Sequence, residues 1–137
     1  MRIEERIQRF LASGAFGVIG ASRDRRKYGN KVLRCYRQAG RRVVPVHPRE
    51  AEIEGLPCVG AVADLPREVQ SLSLVTPPQV TEEIVEQAIR AGIPNLWMQP
   101  GAESPAAVAR AEAAGLNVIA DGSCVLVVLG FREDPGG

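Results

Sequence analysis

FGVIGASRDRRKYGN, residues 16–30, joins a short apolar run to a turn of small residues and then to a cluster of cations. Phe16 to Ile19 reads as a strand, and Gly20-Ala21-Ser22 as the turn after it. A helix is expected beyond, with Val32, Leu33, Tyr36 and Ala39 turned inward and Gly40 as its stop. A glycine turn between a strand and a helix N-terminus offers unpaired backbone N–H groups and the positive end of a helix dipole, which suits phosphate. Ser22 adds a hydroxyl donor, and Arg23, Arg25, Arg26, Lys27 and Lys31 are near enough in sequence to supply counter-charge. These residues leave two readings open: a phosphate loop, or a helix start capped by Ser22 or Asp24 beside a solvated charge run.

The same alternation continues outward in both directions. Ile3, Ile7, Phe10 and Leu11 have helical spacing and precede Ser13-Gly14. Arg42 to Val46 reads as a second strand, followed by a loop around Gly55 to Gly60 and a short helix beginning at Asp64-Leu65-Pro66. Leu72 to Val75 is the third strand, and the helix Val80 to Ala91 stops at Gly92. Asn95 to Met98 is the fourth strand. Pro105 opens a helix to Ala114 that Gly115 closes, and Asn117 to Ala120 is the fifth strand. Val125 to Leu129 fits a strand or a buried helical turn equally well. Strands separated by such helices predict a Rossmann-like, three-layer α/β domain whose mainly parallel sheet has about five or six strands. Ligands of these sheets bind outside the carboxyl ends of the strands, where the strand order reverses.

At 137 residues and 45% hydrophobic content, the chain is expected to form a single domain over 1–137, with residues 132–137 as a flexible tail. Seventeen Lys and Arg face sixteen Asp and Glu, so no global field draws nucleic acid or an anionic membrane. No apolar run reaches the roughly 18 to 20 residues of a membrane span. A cytoplasmic location follows as the expectation. Three separated cysteines, Cys35, Cys58 and Cys124, with one histidine, argue against a disulfide framework or a zinc site.

The strand ends narrow the ligand. The dinucleotide pattern G-x-G-x-x-G is absent, because Gly17 lies inside the strand and Gly20 is the turn's only glycine. An NAD site needs an acid after the second strand to hold the ribose diol, but here Val43-Val44-Pro45-Val46 leads to His47, Pro48 and Arg49. A cationic residue there favours a ribose that itself carries phosphate. Thr76-Pro77-Pro78 ends the third strand with two fixed φ angles, fit either to border an adenine or merely to open the next helix. The fourth strand ends in Trp97, Met98 and Gln99. Trp97 is expected to be a core anchor and Gln99 a polar group facing the site.

The order GAS, GRRVVPVHP, VTPPQVTEEIVEQAIRAGIPNLWMQPGA and AEAAGLNVIAD resembles the small stand-alone coenzyme A-binding proteins, which are similar to the N-terminal domain of the succinyl-CoA synthetase α subunit. The likeness spans roughly residues 10 to 125. It implies that Gly20, Ala21 and Ser22 hold the pyrophosphate or the nearby 3′-phosphate; Arg26 and Lys27 of the cation run are expected, from their place in the sequence, to supply counter-charge. Pro45 and His47 would line the nucleotide side, His47 standing where the synthetases place a lysine. Thr76, Pro77 and Pro78 would border the adenine and pantetheine path, and Met98 and Gln99 the pantetheine arm.

The chain also departs from that pattern. The small proteins commonly carry Asp-Arg-Cys after the fifth strand, whereas Asp121 is followed here by Gly122, Ser123 and Cys124. The synthetases' phosphorylated histidine lies in a second domain that is not matched, so acyl-phosphate chemistry is not expected of this chain alone. The resulting expectation is binding of coenzyme A or an acyl-CoA without an evident catalytic apparatus, with an acyl-CoA ligase or transferase as a protein partner. The competing readings are an NADP-dependent oxidoreductase, with His47, Arg49 and the arginines after Ser22 on the 2′-phosphate, and a nucleotide-binding regulatory module.

Overall fold

The computed structural model describes residues 1–133. In chain order the elements are α1 (Ile3–Leu11), β1 (Ala15–Ile19), α2 (Tyr28–Gln38), β2 (Val43–Val46), β3 (Glu52–Ile53), β4 (Leu56–Pro57), a 3₁₀ turn (Val62–Asp64), β5 (Val69–Leu74), α3 (Pro78–Ala91), β6 (Asn95–Met98), α4 (Pro105–Ala113), β7 (Asn117–Ile119) and α5 (Val125–Val128). Five strands form one parallel sheet in the order β2-β1-β5-β6-β7. This is a Rossmann-like α/β arrangement, at the lower end of the strand number the sequence predicts.

Alternation along each strand sorts side chains between two cores. On β6, Leu96 and Met98 join Ile84 and Val85 of α3 and Ala107 and Ala111 of α4, while Trp97 joins Phe10 of α1 and Leu33 and Tyr36 of α2. The Trp97 indole meets the Phe10 ring edge-on at 5.2 Å and donates its N–H to the Ser123 carbonyl at 3.0 Å, so Trp97 is a core anchor. Ser71 and Ser73 lie on the same side of β5, where their hydroxyls meet the Phe10 carbonyl (2.7 Å) and the Tyr36 hydroxyl (2.6 Å). Buried polar groups are tolerated there because each has a partner.

Helix ends follow local chemistry. Pro78 occupies the first turn of α3 and Gly92 closes it at φ 74°, and the Ser104 hydroxyl caps α4 by accepting the Ala107 N–H at 3.2 Å. Two expectations need correction. No helix begins at Asp64: the 3₁₀ turn ends there, because Leu65 precedes Pro66 and is held extended at φ −69°, ψ 143°. The loop expected around 55 to 60 contains β4, paired to β3 through a tight turn in which Glu54 and Gly55 both have positive φ. At the start of the expected tail, Arg132 exchanges two hydrogen bonds with Gln38, and Glu133 pairs with Arg34. The rest of the expected tail, 134–137, lies outside the described residues. The ambiguous run Val125–Val128 is a helical turn.

The topology sets the site. From β1 the chain crosses through α2 to β2 on one side, then returns to β5 on the other. A crevice therefore opens between the carboxyl ends of β1 and β5, at Gly20 and Val75. No helix among the described residues is long and apolar enough to cross a membrane.

Candidate functional site

At that crevice the chain makes two backbone approaches that exclude any side chain. Gly20 has φ 93°, and a Cβ on it would overlap the Val75 carbonyl; a Cβ on Gly29, in the first turn of α2, would overlap the Gly20 carbonyl. The Gly20–Ser22 turn is thus held between the end of β5 and the start of α2. Beside it lies a cavity of about 460 Å³ lined by Gly20, Ala21, Ser22, Lys27, Tyr28, Gly29, His47 and Val75. A recess of about 540 Å³ shares Gly20, Ala21 and His47 with it and extends to Thr76, Val80 and Ile84. A larger concavity, about 870 Å³, lies near the start of β5 among Leu65, Arg67, Val69 and Arg90. It has neither a glycine turn nor an α-helix N-terminus in its lining.

The electrostatics of the crevice favour an anion. Among the described residues no side chain caps α2, and its first turn carries no acid, so its leading amides and dipole are unopposed. Neither Ser22 nor Asp24 is the cap. The Ser22 hydroxyl accepts the Asp24 N–H at 3.1 Å within the loop, and Asp24 accepts the Arg26 N–H at 3.0 Å. Three of the loop cations are committed to acids: Arg23 to Glu50, Arg25 to Glu54 and Arg26 to Asp24. The Arg26 guanidinium meets both Asp24 oxygens, at 3.1 and 3.0 Å, and this holds the Asp24 carboxyl down at about 2. Lys27 lines the cavity and has no acidic partner among the described residues. Lys31 lies 3.9 Å from Glu133, so among the described residues the run resolves into one cation without an acidic partner, Lys27, and Arg26 is placed away from the cavity lining.

His47 is placed in the lining of both chambers. Its Nδ1 accepts the N–H groups of Arg49 and Glu50, both at 3.0 Å. With Nδ1 accepting these two amides, Nε2 is the ring nitrogen left to donate. Pro45 is buried inside β2 opposite Val18 and lines neither chamber. Thr76 reaches the recess, and its hydroxyl pairs with that of Thr81 at 2.6 Å; Pro77 and Pro78 are exposed at the start of α3.

Met98 and Gln99 are fully buried and line neither chamber. Met98 faces α3 and α4. Gln99 instead organises the wall behind the cavity. Its Oε1 accepts the Tyr28 hydroxyl at 3.2 Å and the Val125 N–H at 3.0 Å. The Tyr28 hydroxyl also touches the Cys124 sulfur, and burial together with Cys124 keeps that phenol protonated beyond its ordinary range. Sequence reasoning named neither Tyr28 nor Gly29 as site residues. Both lie inside the opening stretch, and the signal available was their place on the first turn after the cation run. Among the described residues no group of three or more His, Cys, Asp or Glu is arranged to hold a metal.

A parallel sheet whose strand order reverses between β1 and β5, flanked by helices, is a Rossmann-like α/β domain. Within that class the chain belongs to the CoA binding domain family, whose sequence profile matches residues 15–130. It is 31% identical over 84 residues to the ADP-forming acetate–CoA ligase I of Archaeoglobus fulgidus, an alignment covering 61% of this chain and 12% of the ligase. Over 85 residues it is 29% identical to the α subunit of the ADP-forming acetate–CoA ligase II of Pyrococcus furiosus, covering 61% and 19%. The chain thus spans less than a fifth of the curated relatives it matches. Among solved structures, a conserved hypothetical protein of Pyrococcus furiosus superposes with a TM-score of 0.80 at 38% identity, over 83% of this chain and 97% of that one. A Thermus thermophilus protein superposes at 0.82 with 27% identity, over 95% and 97%.

Proposed function

We propose that the chain binds coenzyme A or an acyl-CoA in the crevice between the carboxyl ends of β1 and β5. The observation that carries this reading is the glycine-lined cradle: Gly20 and Gly29 leave only backbone at the turn, and the uncapped start of α2 and Lys27 face the same space. Gly20, Ala21, Ser22 and Lys27 hold phosphate. His47 donates Nε2–H to the phosphate-bearing ribose, and Thr76 with Val80 and Ile84 borders the apolar recess for the base. Bound coenzyme A supplies a thiol that carries acyl groups as thioesters; the residues of this chain grip and orient it. The acyl chemistry belongs to a ligase or transferase partner, by analogy with the ligases whose CoA-binding part this chain resembles.

Thermal unfolding with coenzyme A, dephospho-coenzyme A, NADP and buffer alone tests the reading. A ligand at about 100 times its Kd adds roughly 2.7 kcal/mol of stability, enough to move the midpoint by several degrees. The expected order is coenzyme A above dephospho-coenzyme A, with no shift from NADP. His47→Ala should narrow the gap between the first two, because only coenzyme A carries the 3′-phosphate. A shift with NADP alone would replace this proposal by the oxidoreductase reading.

A further inference from the structure

We propose that Asn30 and Arg34 form a clamp that positions the anion loop from behind, and that the C-terminal segment Phe131–Glu133 completes it. Neither residue lines the cavity or its recess, yet Asn30 is fully buried and Arg34 is 6% exposed. Buried amide and guanidinium groups demand partners, and here the partners are the loop's own carbonyls. Asn30 Nδ2 donates to the Ser22 carbonyl at 2.8 Å, and Arg34 Nη2 donates to the Arg25 carbonyl at 2.9 Å. One helical turn apart on α2, the two side chains are locked together by Arg34 Nε donating to Asn30 Oδ1 at 2.7 Å.

The consequence for an anion is direct. A carbonyl turned toward a bound phosphate repels it, whereas the Ser22 and Arg25 carbonyls are both occupied from the α2 side. The loop is thereby pre-organised before ligand arrives. Two further segments brace the clamp. Glu54, in the turn between β3 and β4, accepts from Asn30 Nδ2 at 3.1 Å and lies 3.3 Å from Arg25 Nε. Arg34 Nη1 donates to Glu133 at 3.0 Å, with the guanidinium 5.3 Å from the centre of the Phe131 ring. A fully exposed ion pair would contribute little, but the Arg34 side chain is 7% exposed, so Glu133 fixes a buried group.

The mechanical part of this proposal stands alone; its effect on affinity rests on the coenzyme A reading. The experiment therefore has two arms on the full chain. In the ligand-free protein, Arg34→Lys keeps the charge and cannot serve Asn30, Arg25 and Glu133 together. Amide exchange across residues 22–28 should quicken while that of β5 and β6 stays unchanged. At a temperature where both proteins are folded, coenzyme A should bind the variant about tenfold more weakly, the low end for losing a hydrogen bond made by a charged group. Should Arg34→Lys fail to fold, Glu133→Gln, altering a half-exposed side chain, is expected to give the same localised quickening. Exchange that is unchanged at 22–28, or raised equally throughout, overturns the clamp. Unchanged affinity in a variant whose wild type binds coenzyme A overturns its functional role. Failure of the wild type to bind coenzyme A instead refutes the proposed function, and the exchange arm still decides the clamp.

Discussion

Gly29→Ala sets two physical effects of opposite sign against each other. Gly29 lies in the first turn of α2 and is not among the glycines with positive φ, so helix propensity alone favours alanine by up to about 1 kcal/mol. The added Cβ, however, falls on the Gly20 carbonyl, and both contacting groups are backbone. Gly20 has little room to retreat, because its other side rests against the Val75 carbonyl. Overpacking costs about 1–3 kcal/mol, and a backbone contact that no rotamer change relieves belongs at the upper end. The balance is a net destabilisation of about 1–2 kcal/mol, which lowers the midpoint of a domain this size by about 3–10 °C. Thermal unfolding followed by circular dichroism reads that shift, and calorimetric titration with coenzyme A reads the accompanying loss of affinity. Gly40→Ala is the control: its φ is 72° with nothing within 4 Å, so it should cost about 1 kcal/mol in backbone strain and leave binding unchanged. A Gly29→Ala protein that is more stable than wild type and binds equally well would refute the close-approach reasoning.

Lys27→Gln should weaken coenzyme A binding by about three- to tenfold and flatten its salt dependence, whereas Arg26→Gln should change Kd less than twofold because Asp24 already holds that guanidinium. Equal effects from the two variants, measured by titration at several salt concentrations, would remove Lys27 from the site. Gln99→Leu leaves the Val125 N–H and the Tyr28 hydroxyl without their acceptor and should cost about 1–3 kcal/mol in denaturant unfolding; a loss below about 0.5 kcal/mol would show that Gln99 does not brace the wall. Burial raises the Cys35 thiol from 9.0 to about 11, so the folded chain keeps a proton that the unfolded chain releases as pH rises through that window. The associated stability is complete below pH 9 and lost toward about 11, and Cys35→Ala should show a shallower alkaline fall than wild type in chemical unfolding at each pH; parallel slopes would contradict the assignment.

Most of the secondary structure was legible because each helix and strand carries its own period and punctuation. The helix over residues 3–11 and the strand over 95–98 came out with the same boundaries in the fold. The misreadings cluster where one local rule overrode another. Asp64-Leu65-Pro66 looked like a helix start, but the residue before a proline resists helical ψ. The β3–β4 turn was hidden because it places Glu54, with φ 53°, in a conformation usually left to glycine or asparagine.

What the sequence by itself determined was the alternating α/β plan, the anion-suited turn after the first strand and the absence of an acid after the second. Each of these depends on neighbours along the chain. Only the tertiary structure decided which strand-end residues face the crevice. Met98 and Gln99 stand at a strand's carboxyl end, but their strand lies outside the β1–β5 gap, so one fills the core and the other braces Tyr28. The cation run was likewise undecidable in one dimension. Glu50 and Glu54 claim Arg23 and Arg25 from segments more than twenty residues away, and Asp24 claims Arg26. Pairing across space, which no local pattern encodes, leaves Lys27 as the cation available to the cavity.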